Sequence, residues 1–393
     1  MSLDFQQVQQ QVRQLGEAAL TRQTLLRQRM AEAESLLEEY AQQIDALQSK
    51  VQRIVDQHDP SLRCAVPVRE TLDTHQSVPP LPEQATILAA DGSQIFMDRH
   101  AQVEYGLINV GAIQMQLHSN QPPATQVACR LYYHEQAEAM SEALLALERD
   151  LNERKYLMEL AAQAVEPVIT FTDGPMELWG AKGEGSEEAQ KFQDSLKEYL
   201  EVLSRLHGLG VTTAGYVDKP GADLVVRLLE VARATESELA GIRKYRPLRG
   251  ITDRSLFRDR LAPGERSAIF AIQSQSIQKY AGPLALHFFY LNVGRRTNQT
   301  HIARVEIPAW VAGSPQLLDG LHAVLVDQCR IMGERPYPYL LHRAHETAVV
   351  TREDQDQVTQ MIILELQRRG VAVEGQSFKQ AAKDQPGRTR YTL

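Results

Sequence analysis

Two short apolar runs in this chain close on the same dipeptide. One reads Thr86-Ile87-Leu88-Ala89-Ala90-Asp91-Gly92-Ser93, the other Val168-Ile169-Thr170-Phe171-Thr172-Asp173-Gly174-Pro175. Each reads as a buried strand that delivers a carboxylate where it emerges, with a glycine to turn the chain after it. A single Asp-Gly is also an ordinary turn. Two of them after buried strands place like charges close together if the strands are neighbours, and such a pair is costly without a cation between them. An oxygen-only pair suits Mg²⁺ or Mn²⁺.

Positive groups that could meet a phosphate lie further on. Lys219 follows Asp218 at the end of a run over 211–217. Residues 241–266 carry Arg243, Lys244, Arg246, Arg249, Arg254, Arg258, Arg260 and Arg266, with Tyr245 and Phe257 among them. Phosphate contacts beside a stacking ring are what a groove guiding a nucleic-acid strand needs. The formal net charge of −8 argues against adhesion to nucleic acid over the whole surface. Any affinity must therefore come from a local basic track, and Lys219, Arg243, Lys244, Arg246 and Arg249 are its candidates.

The elements that must position these groups follow from periodicity. Residues 4–58 hold no proline and one glycine, Gly16. Apolar residues at Phe5, Val8, Val12, Leu15 and Ala19, and again from Leu26 through Leu37, Ile44, Leu47, Val51 and Ile54, step by threes and fours. That spacing predicts one long helix with a break near Arg22, or a helical hairpin, and its narrow seam favours a dimerising or partner-docking arm over a helix packed on its own domain. Five prolines between 59 and 84 predict a linker or wrapping segment. Three strand-like runs follow at 85–90, 103–113 and 126–133, then a helix over about 136–164. Strand 168–172, helix 186–207, strand 211–217 and helix 222–234 come next. Three strands and then alternating helix and strand is the order of an α/β, ribonuclease-H-like mixed sheet with flanking helices. The first strand would be central and the fourth parallel beside it, which brings Asp91 and Asp173 to neighbouring strand ends. The expected domains are a helical arm at 1–58, a proline-rich linker at 59–84, the catalytic-type domain at 85–370 and a basic tail at 371–393.

Of 393 residues, 43% are hydrophobic, enough for a sizeable core. Cys64, Cys129 and Cys329 are scattered and form no CxxC, which predicts a reducing cytosol. The N-terminal residues carry no basic segment followed by an apolar one, and no run approaches membrane-spanning length, so the expectation is a cytoplasmic protein without a membrane anchor. No GxxxxGK[ST] occurs, which excludes a P-loop phosphotransferase.

Several blocks together resemble the NurA nuclease family, in its bacterial branch. They are Asp91-Gly92-Ser93, Asp173-Gly174-Pro175-Met176-Glu177-Leu178-Trp179, Ala214-Gly215-Tyr216-Val217-Asp218-Lys219-Pro220, Phe288-Phe289-Tyr290-Leu291-Asn292-Val293-Gly294, Arg304-Val305-Glu306-Ile307-Pro308-Ala309-Trp310-Val311 and Tyr337-Pro338-Tyr339-Leu340-Leu341-His342-Arg343-Ala344-His345-Glu346. The resemblance spans roughly 84–370. It implies a homodimeric, Mn²⁺-dependent DNA nuclease, with Mg²⁺ as an alternative and two ions at the site, acting in end resection with a HerA-type hexameric ATPase. It also implies the site: Asp91, Asp173, Tyr337 and His345, with one acid on the helix before the fourth strand. Glu148, Glu153 and Glu159 are candidates for that acid, and Glu153 is favoured by its distance from Asp173 and the apolar helix face after it. Asp91 would bridge two ions, Asp173, Glu153 and His345 would complete their shells, and Tyr337 would orient a phosphate or a water. Glu334-Arg335-Pro336 departs from the family, where a glycine commonly precedes the Tyr-Pro. The alternative is a non-catalytic DNA-binding or assembly subunit that recruits a DNA motor through its helical arm.

Overall fold

The computed structural model describes residues 3–98, 101–133, 141–179, 187–296 and 298–371. In chain order the elements are α1 (Phe5–Tyr40), α2 (Ile44–Gln57), β1 (Cys64–Pro67), β2 (His75–Gln76), β3 (Thr86–Ile95), β4 (Tyr105–Gln116), β5 (Ala124–Tyr133), α3 (Glu142–Ala161), β6 (Val168–Asp173), α4 (Glu187–Gly208), β7 (Thr212–Val217), α5 (Leu224–Arg233), α6 (Glu236–Leu239), α7 (Asp253–Phe257), β8 (Arg266–Ser267), β9 (Phe270–Gln273), β10 (Leu286–Asn292), β11 (Ile302–Pro308), α8 (Ala309–Ala312), α9 (Pro315–Ile331), α10 (Tyr339–Ala348) and α11 (Arg352–Arg368). They fall into two units. The first comprises 1–82, 174–177 and 214–338, the second 83–173, 178–213 and 339–393. A break of this division falls at 82/83, next to the expected boundary at 84, and none falls at 58. The basic tail from residue 372 lies outside the described residues.

The second unit is built on β3. It pairs antiparallel with β4 and parallel with β6, and β4 pairs antiparallel with β5. Three antiparallel strands followed by a parallel fourth beside the first is the ribonuclease-H-like arrangement expected. Thr170 donates to Thr213 at 2.9 Å, which ties the start of β7 to β6. The inner strands are buried on both faces, as Ile87, Leu88, Ala89 and Ala90 illustrate. They need helices on both sides. Helix α3 lies on β3 and β4 and packs against α4. Its start is fixed by Ser141, whose hydroxyl accepts from the Leu144 N–H. Helix α10 crosses the strands as well. Gly111 on β4 permits that approach, because a Cβ there would lie 2.7 Å from the Ala348 nitrogen and 2.9 Å from the Ala344 oxygen.

The first unit holds a sheet in the order β1-β9-β10-β11-β7. Two expectations are corrected here. The helical break falls at 41–43, between α1 and α2, and not at Arg22. Leu37, Leu47, Val51 and Ile54 are buried within the unit, where α2 packs on α5 and β1. The later part of the expected docking seam is thus core, since burying those side chains at home outweighs leaving them for a partner. Phe5, Val8, Val12 and Leu15 on α1 are exposed. The proline-rich stretch is also more than a linker. Cys64 to Pro67 pair with β9, and Pro67, which has no N–H to give, closes a strand at the end of the sheet order.

Candidate metal centre

Asp91 does not sit where its strand ends. Strand β3 runs on to Ile95, with Asp91 opposite Gly111 and Ser93 opposite Asn109. The expected sharp turn after Asp91 is therefore absent, and Gly92 serves another purpose. A Cβ at Gly92 would lie 2.6 Å from Arg149 Cγ and 2.7 Å from Glu153 Oε1. The glycine makes room for α3 to lay these two side chains against the strand. Asp173 does end its strand, as expected, and Gly174 turns the chain with φ of +86°. The last parallel pair is Ala90 with Thr172, so the register carried one residue further sets Asp91 beside Asp173.

Of the three acids weighed on α3, the fold brings Glu153 to Asp91. A helix turns about 100° per residue, so Glu148, Glu153 and Glu159 point in different directions. Glu148 accepts from Ser195 on α4 at 3.4 Å, and Glu159 is exposed. Glu153 is only 6% exposed. Burial first, then the charges of Asp150 and Asp91, push its pKa well above the ordinary carboxylate range, with Arg149 and Arg154 working the other way.

His345 reaches Asp91 from α10. Its Nδ1 lies 2.7 Å from Asp91 Oδ2, and the ring is largely exposed. In a neutral imidazole, donation from Nδ1–H leaves the Nε2 lone pair available to a cation or a proton. The contact rests on the seating of α10, which Asn109 reinforces by donating to the Ala348 carbonyl at 2.8 Å. Tyr337 belongs to the first unit, half-buried, with its ring edge-on to Tyr216 at 5.6 Å between centroids.

Two residues of this cluster escaped the sequence reading. Arg149 donates to Asp150 Oδ1 at 2.7 Å and to Gln94 Oε1 at 2.9 Å, and its Nε lies 3.5 Å from Glu153 Oε1. The i,i+4 spacing of Arg149 and Glu153 was the available signal. Asp150 adds a further carboxylate to the same turn.

The donor set is carboxylate oxygens with one imidazole nitrogen, which fits a hard or borderline divalent ion. The crowding of Asp91 and Asp150 around the buried Glu153 carboxylate is what such an ion relieves. Among the described residues no three His, Cys, Asp or Glu side chains converge closely enough to form a finished cage. Arg149 supplies positive charge within the cluster.

The basic candidates lie in the first unit. Lys219, Arg243, Lys244 and Arg249 are exposed. Arg246 is otherwise engaged: its Nε lies 2.7 Å from Glu230 Oε2, and its Nη2 is bound to Asp223. Its charge is spent inside the fold, where Glu230 is fully buried. It does not form an open phosphate contact with its neighbours in the run.

A model of the NurA domain matches residues 85–350. Among solved structures, the NurA nuclease from Sulfolobus solfataricus is 10% identical, with a TM-score of 0.46 over 83% of this chain and 92% of that one. Human ENDOV is 13% identical, with a TM-score of 0.31 over 67% and 82%. Ciona intestinalis endonuclease V in complex with an inosine-containing DNA is 9% identical, with a TM-score of 0.32 over 80% and 98%. No curated protein sequence matches the chain.

Proposed function

From a chain that belongs to the NurA domain family, we propose a metal-dependent deoxyribonuclease that acts on DNA ends, in end resection at double-strand breaks. The observation that carries this reading is the buried Glu153 carboxylate held beside Asp91, with His345 hydrogen-bonded to that same aspartate. Asp91, Glu153, Asp173 and His345 would hold Mn²⁺, or Mg²⁺. Bound there, the metal would supply an activated water and neutralise the leaving oxygen of a phosphodiester.

The chain's own residues do the rest. Asp91 fixes the His345 ring through Nδ1, so Nε2 is oriented to ligate or to take a proton from the attacking water. Gly92 and Gly111 let α3 and α10 press these groups onto β3. Arg149 offsets the acidic charge and holds Glu153 from one helical turn away. Tyr337 would orient the scissile phosphate or the water. Lys219, Arg243, Lys244 and Arg249 would track the DNA backbone, while Arg246 braces that segment.

The same reading includes a homodimer in the cytoplasm, fed DNA by a HerA-type hexameric ATPase. The exposed apolar residues on the first turns of α1 support a docking role for that part of the arm. The test is to offer linear and covalently closed circular DNA with Mn²⁺. Degradation of the linear form alone is expected. Equal attack on both would overturn end-directed action, and attack on neither would overturn the nuclease reading.

A further inference from the structure

We propose that the cleft between α7 and the loop joining β10 to β11 is a binding site for nucleic-acid backbone phosphates. The proposal rests on the reading that this chain acts on DNA. The cleft has a volume of about 440 Å³ and is lined by Arg254, Arg258, Asp259, Asn298, Thr300, His301 and Ile302.

Arg254 and Arg258 are four residues apart on continuous helical backbone and therefore share a face. Both are exposed. Neither has a carboxylate partner among the described residues. This sets them apart from Arg227, Arg246, Arg260, Arg266 and Arg304 of the same unit, each of which is paired with a glutamate. The guanidinium groups of Arg254 and Arg258 are thus left to a cavity.

The walls are built and not incidental. Asp253, fully buried, accepts the Val226 and Val225 N–H groups at 2.9 and 3.0 Å and the Tyr290 hydroxyl at 2.7 Å. It anchors the start of α7 to α5 and β10, one residue before Arg254. Asn292, also fully buried, braces the loop that carries Asn298, Thr300 and His301. Its Oδ1 accepts the Gly294 and His301 N–H groups at 3.0 and 3.2 Å, and its Nδ2 donates to the Leu261 carbonyl at 2.8 Å. The loop is thereby tied to the segment that carries Arg258. Gly294 is needed for so tight a path, since a Cβ there would lie 2.1 Å from the Gln299 oxygen. The block Phe288 to Gly294, conspicuous in the sequence, thus shapes this cleft.

The chemistry of the lining is that of phosphate recognition. Two guanidinium groups can bind phosphate oxygens in pairs, and the Thr300 hydroxyl and Asn298 amide add neutral donors. His301 is held by Asp218, with Nε2 at 2.7 Å from Oδ1. Asp259 is the one carboxylate of the lining, so positive charge prevails there on a chain that is negative as a whole.

The test measures equilibrium binding of a labelled DNA oligonucleotide to the full chain in EDTA over a range of salt. It compares wild type, Arg254→Ala/Arg258→Ala, Arg254→Lys/Arg258→Lys, and a charge-matched control, Lys197→Ala/Arg205→Ala, on exposed positions of α4. The alanine pair should weaken binding about tenfold or more and lower the salt slope by about two units, with the lysine pair in between and the control like wild type. An alanine pair that binds and responds to salt like the control, in a wild type that binds and cuts DNA, overturns this site alone. A wild type that neither binds nor cuts DNA overturns the nuclease reading and this site with it.

Discussion

Glu153 holds its proton more tightly in the folded chain than in the unfolded one. An unfolded glutamate titrates near 4.3. Burial and the charges of Asp150 and Asp91 raise that value in the fold. The group therefore contributes stability fully below about pH 4.3 and loses it as pH rises through the raised folded value. Glu153→Gln removes the loss. In EDTA the variant should match wild type at pH 4 and exceed it at pH 8, read as a higher Tm at pH 8 only. Superimposable Tm curves across that range would contradict the account of Glu153. The acids at Asp91 and Asp173 were legible as types and spacing. The choice among Glu148, Glu153 and Glu159 was favoured but not forced, because it depends on which face of α3 meets β3. Arg149 and Asp150 went unread, since one charged helical turn looks like a solvated face until a strand is laid against it.

At the scale of elements, His345 is delivered by a helix that must touch a strand backbone. Gly111 allows this, and the nearest atoms to a Cβ there belong to the backbone of α10, at Ala348, Ala344 and Thr347. Backbone cannot rotate away as a side chain can. Gly111→Ala should therefore displace α10, cost about 1–3 kcal/mol and impair cleavage through the lost His345–Asp91 contact. Gly320→Ala on α9 meets nothing within 4 Å and should be neutral or stabilising by about 0.5–1 kcal/mol. Chemical denaturation of the two variants checks the contrast, and equal stabilities would contradict it. The strand order of the second unit was readable because each run carries its own periodicity. The continuation of β3 past Asp91-Gly92 was not, because Asp-Gly favours a turn locally and only pairing with β4 overrides it. The break between α1 and α2 was misplaced for a related reason: what ends α1 is packing, with the Leu72 N–H donating to the Ala41 carbonyl at 3.1 Å.

Across the whole molecule, the chain interleaves its two units. Residues 174–177 and 214–338 join the N-terminal arm, while 339–371 return to the unit of β3. Composition shifts mark linkers but not such returns, so proline density pointed to the break near 84 and gave no sign of those at 173/174, 177/178, 213/214 and 338/339. No described helix is long and apolar enough to cross a membrane. The charge economy is equally global. Arg227, Arg246 and Arg304 of the first unit neutralise buried acids, and exposed arginines must supply any affinity for DNA against a net charge of −8. The proposed function turns on one claim, that Asp91 is the centre of a metal-dependent phosphodiester hydrolase. The most direct measurement is cleavage of end-labelled linear DNA by wild type and Asp91→Ala, purified in parallel, with Mn²⁺, with Mg²⁺ and with excess EDTA. The account predicts cleavage by wild type with a divalent ion, none in EDTA, and a loss of at least about a hundredfold in Asp91→Ala while its melting profile stays folded. Cleavage by Asp91→Ala at the wild-type rate, or by wild type in EDTA, would contradict it.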